Sequence, residues 1–201
     1  MDPAELAVRK AGPGDTAGVA ATLARAFEHD RVMRWLAPGE QRLQPAFTLY
    51  LERIWLAHDA CFVTTDGLAA ACWLPPGKWR LSAARRLALL PALARVMGGD
   101  LPRMTRGLLA IERRHPPRPH WYLPLVGVVP EAQGRGRGAT LLRHMLDRCD
   151  GERTPAYLEA TTERSRALYA LHGFEVTEEL HLPGGGPPVW PMWREPDTRL
   201  R

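Results

Sequence analysis

At 201 residues, 45% hydrophobic and 24% charged, the chain has the size and make-up of one globular domain with a full core, which excludes a disordered or fibrous protein. Its net charge of +5 rests almost wholly on arginine, since Lys10 and Lys78 are the only lysines, and no basic tail accompanies it, so nucleic-acid binding has no support beyond charge. Cys61, Cys72 and Cys149 are too far apart for a disulfide framework or zinc spacing. No apolar run reaches the roughly 18 residues of a membrane span, and the N-terminal "MDPAELAVRK" lacks a signal peptide's apolar segment, so the expected location is the cytoplasm.

In chain order, "LAVRKAG" reads as a strand and "GDTAGVAATLARAF" as a helix capped by Asp15, with Val19, Leu23, Ala26 and Phe27 on one face. A second helix after "APGEQ" carries Leu43, Phe47, Leu51, Ile54 and Trp55 at helical spacing. "CFVTTDGLAAACWL" is a hairpin around Asp66-Gly67, a strong turn pair. Residues 81–115 form a helical insertion: Ser82 caps it, Pro91 is expected to kink or break it, and a second helix starts at Gly98-Gly99-Asp100. "HWYLPLVGVVP" is an apolar strand leading into a glycine-rich turn, and the next helix turns Leu141, Leu142, Met145, Leu146 and Cys149 inward. "PAYLEAT" is a strand and "TERSRALYALHG" a helix closed by Gly173, while "FEVTEEL" and "PVWPMW" close the chain as strands. No internal repeat is visible. The order predicts a single α/β domain over residues 1–201, built on a central mixed sheet with one βαβ crossover at the glycine turn.

That turn, "GVVPEAQGRGRGATLL" over residues 127–142, carries the chemistry. A glycine-rich turn opening a helix brings backbone amides close to an anion. A nucleotide P-loop is excluded, because no Lys-Ser or Lys-Thr ends it. Gly134, Gly136 and Ala139 formally match a dinucleotide turn, but that fold needs further βα units, and only about 60 residues follow. The third reading rests on two linked blocks. Gln133, Gly136 and Gly138, after a strand ending in Val-x-Pro, resemble the Q/R-x-x-G-x-G/A signature of the GNAT superfamily of N-acetyltransferases. "YLEATTERSRALYALHGFEV" resembles its second block, with Tyr169 ahead of Gly173-Phe174. Together with "VWPMWREP", the blocks look like the puromycin N-acetyltransferase branch over most of residues 5–195.

The resemblance implies a GNAT-like fold with a mostly antiparallel sheet, acetyl-CoA as acyl donor, no metal, and a small-molecule amine as acceptor, with neither nucleic acid nor membrane as partner. The aminonucleoside type is one candidate acceptor. Whether the chain forms a homodimer is not legible. Amides from Gly134 through Arg135, Gly136, Arg137, Gly138 and Ala139 to Thr140 would grip the diphosphate, and the Arg135 and Arg137 side chains either add charge or lie exposed. Val128 and Val129 would offer main-chain groups where their strand splays from the next, the Val128 amide polarising the thioester carbonyl. Tyr169 would be the general acid, and no cysteine stands at a motif position, which fits direct attack. Glu159 alternates with Leu158 and Ala160 and is either the base or half of a structural ion pair. Asp30 and His29 either reach the acceptor mouth or lie on the surface; Tyr122 and His120 either line the acceptor pocket or, for His120, end a strand in solvent. A water chain is a further route for the proton. Ser165 stands where the superfamily often has asparagine, a shorter reach to the coenzyme arm. Trp35, Trp55, Trp79 and the 81–115 helices are apolar enough to wall a pocket for a bulky amine. The alternatives are acetylation of a protein or peptide, and a non-catalytic acyl-CoA-binding regulator.

Overall fold

Short apolar runs bounded by Gly, Pro and Asp segments become strands, and the longer amphipathic stretches between them become helices. The computed structural model describes residues 6–198; Met1–Glu5, on which the signal-peptide expectation rests, lie outside them. The strands are β1 (Val8–Lys10), β2 (Cys61–Thr64), β3 (Ala69–Leu74), β4 (Trp121–Val128), β5 (Ala156–Ala160), β6 (Glu175–Val176), β7 (Leu180–His181) and β8 (Pro188–Arg194). They form a sheet ordered β1-β2-β3-β4-β5-β8-β6, with β7 paired to β8, and it is antiparallel everywhere except between β4 and β5. The hairpin turns at Asp66-Gly67, where Gly67 takes φ +71°.

Helices cover both faces. α1 (Thr16–Phe27), α2 (Arg31–Leu36), α3 (Glu40–Tyr50), α4 (Ala83–Met97) and α5 (Leu101–Arg114) bury Leu23, Val32, Phe47, Leu93 and Met104 against one side. α6 (Arg137–Gly151) and α7 (Glu163–Ala170) bury Leu141, Leu142, Met145 and Tyr169 against the other. The mostly antiparallel α/β architecture with its 81–115 insertion is as expected.

Three local expectations change. Asp15 does not cap α1: its carboxylate accepts from the Gly12 N–H at 2.9 Å and pairs with Arg9 at 2.6 Å, inside a tight turn that precedes the helix. Pro91 neither breaks nor ends α4, because the carbonyl it leaves without a donor is that of Leu87, on the helix's exposed face where water can reach it. The second helix does not stay regular, since Leu51–Trp55 widens into a π turn that still buries Leu51, Ile54 and Trp55.

β4 carries the feature that matters most for the site. Cys72 faces Leu125 while Leu74 faces Tyr122, so two steps along β3 match three along β4, a bulge at Leu123–Pro124. The bulge reverses the strand's alternation. Tyr122 and Leu125 therefore share one face, while Leu123 and Val126 share the other. Pro124 also lacks an N–H. Pairing between β4 and β5 ends at Leu123 and Leu158, beyond which the strands part and β5 continues against β8 alone.

Candidate active site

The turn after β4 is held in shape by its own side chains. Gly134 and Gly136 take φ +74° and +82°, a left-handed conformation that a side chain would strain. Gly136 is the residue before α6, so the amides of Arg137, Gly138 and Ala139 are first-turn donors with no helical acceptor. Thr140 is not among them: its N–H already donates to the Gly136 carbonyl at 2.9 Å. The amide cradle thus runs from Gly134 to Ala139, at the positive end of a 15-residue helix.

Arg135 is exposed beside it, but the Arg137 side chain is neither exposed nor free for a phosphate. It is buried and donates Nε and Nη2 to Asp66 at 2.9 and 2.7 Å, tying the turn to the β2–β3 hairpin. Burial pushes the Asp66 carboxyl up, yet Thr64, the Leu68 amide and Arg137 together hold it below its ordinary value. Gln133 braces the turn from inside, donating to the Val128 carbonyl at 3.1 Å and accepting from Arg164 at 2.9 Å. Arg164, exposed on α7, is a cation at the turn that the sequence did not single out; only the tertiary approach of α7 reveals it.

The two valines part company. The Val129 N–H donates to Leu68 and its carbonyl accepts from Ala132, so it has no main-chain group to spare. Antiparallel alternation then turns the Val128 N–H away from β3, into the gap where β5 has left the ladder. Ser165 is spent locally, its hydroxyl joined to the main chain of Thr162 in the cap of α7.

On the opposite face of the sheet lies a cavity of about 350 Å³, walled by α2 to α5 and the π turn. Trp55, Trp79, Phe47, Leu93 and Met104 make it apolar; Trp35 does not line it but packs on Gly107 of α5. Arg86 and Glu112 on its wall neutralise each other in a two-pronged pair at 2.7 and 2.5 Å. Its floor is Tyr122, Pro124, Leu125, Glu159 and Thr161, where the strands part.

Among the described residues Glu159 has no Arg or Lys partner. Its Oε2 accepts from the Tyr122 hydroxyl at 2.9 Å, and its buried Oε1 makes no hydrogen bond. Burial pushes the carboxyl up to about 7, with the phenols of Tyr122 and Tyr157 holding part of the rise back. The ion-pair reading of Glu159 therefore finds no cation. His120, expected in the pocket or in solvent, is instead buried behind Glu159, where it contacts His115, a residue the sequence reading passed over.

Tyr169 lies on the α7 side, buried edge-on against Phe174, its hydroxyl without a hydrogen-bond partner among the described residues. Burial, then the nearby Asp30 charge, push its phenol well above its ordinary value, so it stays protonated at neutral pH. Asp30 is not a surface residue: it caps α2 through the Met33 N–H at 2.9 Å and accepts from Thr161 at 2.5 Å, whereas His29 is exposed. Among the described residues, no helix is long and apolar enough to cross a membrane, and no three His, Cys, Asp or Glu side chains are grouped to hold a metal ion.

Residues 104–174 match the acetyltransferase (GNAT) family model. Over 98% of this chain and 86% of the relative, the sequence is 27% identical to an uncharacterised N-acetyltransferase of Schizosaccharomyces pombe. A Corynebacterium glutamicum protein described as histone acetyltransferase HPA2 and related acetyltransferase is 27% identical, with a TM-score of 0.75 over 98% of this chain and 99% of its own. The Drosophila melanogaster polyamine N-acetyltransferase, an enzyme that forms N-acetylagmatine, shares the fold at 18% identity, with a TM-score of 0.66 over 94% and 99% of the two chains.

Proposed function

We propose that this chain, whose residues 104–174 match the GNAT family model, is a GNAT-type N-acetyltransferase that transfers the acetyl group of acetyl-CoA directly to the primary amine of a small molecule with an apolar or aromatic body. The observation that supports this is the parting of β4 from β5 after Leu123 and Leu158, beside which Glu159, with no Arg or Lys partner among the described residues, floors an apolar cavity and the alternation of β4 turns the Val128 N–H into the gap.

The residues present fit coenzyme A. Two left-handed glycines and the amides up to Ala139 would hold its diphosphate, with Arg135 and Arg164 at the rim, and the parted strands would take the arm. When bound, acetyl-CoA supplies an acetyl group activated as a thioester. The Val128 N–H would be the donor to the acetyl oxygen. Glu159 takes the proton of the incoming ammonium, an exchange suited to a carboxyl titrating near neutrality. Tyr169, held protonated, would give its proton to the departing sulfur as the C–S bond breaks, and its phenolate would be restored by the second proton that the nitrogen loses on becoming the amide.

The cavity also selects. A polyamine such as agmatine brings a second cation, and the remaining carboxylate in the lining, Glu112, is already matched to Arg86. An unmatched charge in an apolar enclosure is costly. A cavity walled by α4 and α5 also suits a small molecule better than a protein lysine. Thiol release from acetyl-CoA, measured across 2-phenylethylamine, a puromycin-type aminonucleoside, agmatine, spermidine and lysine peptides, tests the reading. Turnover is expected for the apolar monoamines and the aminonucleoside, at least tenfold above agmatine in kcat/KM. Preference for agmatine would overturn the apolar-body assignment, preference for peptides would favour protein acetylation, and coenzyme A binding with no turnover would leave a non-catalytic acyl-CoA binder.

A further inference from the structure

Behind Glu159 stands a buried pair of histidines to which the mechanism above gives no role. His115 closes α5 and stacks on Trp79, with ring centroids 3.7 Å apart. Its Nε2 lies 2.9 Å from Nε2 of His120, and Nδ1 of His120 lies 2.6 Å from the Arg118 carbonyl. Burial lowers both rings' proton affinity, that of His115 to about 3, so both are neutral.

The tautomers then follow one after the other. A carbonyl oxygen only accepts, so His120 carries its proton on Nδ1 and leaves a lone pair on Nε2. His115 must therefore donate from Nε2, which leaves a lone pair on its Nδ1. That lone pair faces Oε1 of Glu159 at 3.8 Å, the buried oxygen with no hydrogen bond. While Glu159 is ionised, two acceptors confront each other and stay apart. Once Oε1 carries a proton they can share it, with a closure of about 1 Å to ordinary hydrogen-bond distance.

We propose that His115, oriented by His120, is the hydrogen-bond acceptor for the proton that Glu159 takes up from the substrate ammonium. The N–H bond of the ammonium breaks, an O–H bond forms on Glu159, and that O–H donates to His115 Nδ1; neither imidazole changes charge. Neither histidine lines the cavity, so both are positioning residues acting through Glu159. The other titratable or charged groups facing the trio are Tyr122 and Tyr157 from the strands, Arg80 before α4, and Glu178 beyond Tyr157. The assignment rests on Glu159 being the base.

The first test needs no substrate. In wild-type protein labelled with ¹⁵N-histidine and followed from pH 5 to 9, His120 is expected to be protonated on Nδ1 and His115 on Nε2. The His115 Nδ1 resonance should move with a midpoint near 7 and stay still in Glu159→Gln. The opposite His115 tautomer, or a resonance that does not move in the wild type, overturns the proposal.

The second test uses thiol release with 2-phenylethylamine and acetyl-CoA in variants whose melting is checked. His115→Asn keeps an acceptor near Oε1 and should keep the wild-type acid limb of kcat/KM. His115→Leu removes it, and the limb should fall by about one pH unit, a tenfold loss of Glu159 proton affinity. An unmoved limb in a folded His115→Leu protein overturns the proposal. If wild type turns over no amine, the function proposed above fails, and the resonance experiment alone decides whether protonated Glu159 donates a hydrogen bond to His115.

Discussion

The proposed chemistry rests on two buried side chains, and each is tested by removing one oxygen or one charge. The Tyr169 hydroxyl makes no hydrogen bond among the described residues, so Tyr169→Phe should fold as well as wild type. It should lose turnover by roughly 10²- to 10⁴-fold, the range for a general acid. Coenzyme A affinity, read by calorimetry, should hold; full turnover in the variant would remove the assignment. Glu159 is the opposite case, a group that burdens the fold. Its ordinary value of 4.5 becomes about 7 in the folded chain. Between these values the folded state binds the extra proton, so raising the pH erodes stability until the loss is complete above about 7. At about 1.36 kcal/mol per pH unit the full cost is about 3 kcal/mol. Glu159→Gln should therefore be more stable than wild type in urea at pH 8 and little different near pH 4.5, while losing turnover. An equal gap at both pH values would contradict the burial account. For wild type, kcat/KM should climb through about pH 7 from the acid side.

Elements place these residues, and sequence pattern reads elements unevenly. The hairpin, the glycine turn and the inward face of α6 were legible because Asp66-Gly67, Gly134 and Gly136 demand special backbone and because Leu141, Leu142 and Met145 repeat at helical spacing. Helix α2 has six residues, too few for a period to show. The bulge in β4 left one mark, Pro124, since a proline inside a central strand sits mostly at a bulge, but "WYLPLV" is apolar throughout, so the reversal of alternation itself does not show. The partners of Arg137 and Glu159 are set by contacts across 71 and 37 residues, which no local pattern carries. The first of these has a measurable weight. Asp66→Ala strands a buried guanidinium, and losing one member of such a pair costs about 3 to 5 kcal/mol. Urea unfolding should show that loss, and the KM for acetyl-CoA should rise because the turn is no longer tied to the hairpin. Gly136→Ala should act differently. Its added methyl meets open space, so only the left-handed φ resists it, at about 1 to 2 kcal/mol, and weaker coenzyme A binding should be the larger effect.

At the scale of the whole molecule the sheet separates two jobs. The amide cradle and α7 lie on one side and the cavity built by α2 to α5 on the other, with the parting of β4 and β5 between them. Leu90, Leu108 and Leu109 line the cavity yet are more than a third exposed, so its apolar character runs out to the mouth. Extending an alkylamine by successive methylenes should raise kcat/KM until the chain reaches that mouth, by no more than about 0.8 kcal/mol per methylene. A flat series would mean that the acceptor's body binds elsewhere. The bulge at Leu123–Pro124 has a consequence for how such a protein can change over time. Because it leaves Tyr122 and Leu125 facing the cavity and Val126 and Val128 facing the other side, substitutions in the cavity wall are expected to change acceptor preference with little change in the KM for acetyl-CoA. Acceptor preference is therefore free to drift through the 81–115 helices while the donor half stays under its own constraint, an exchangeable palate on a fixed jaw.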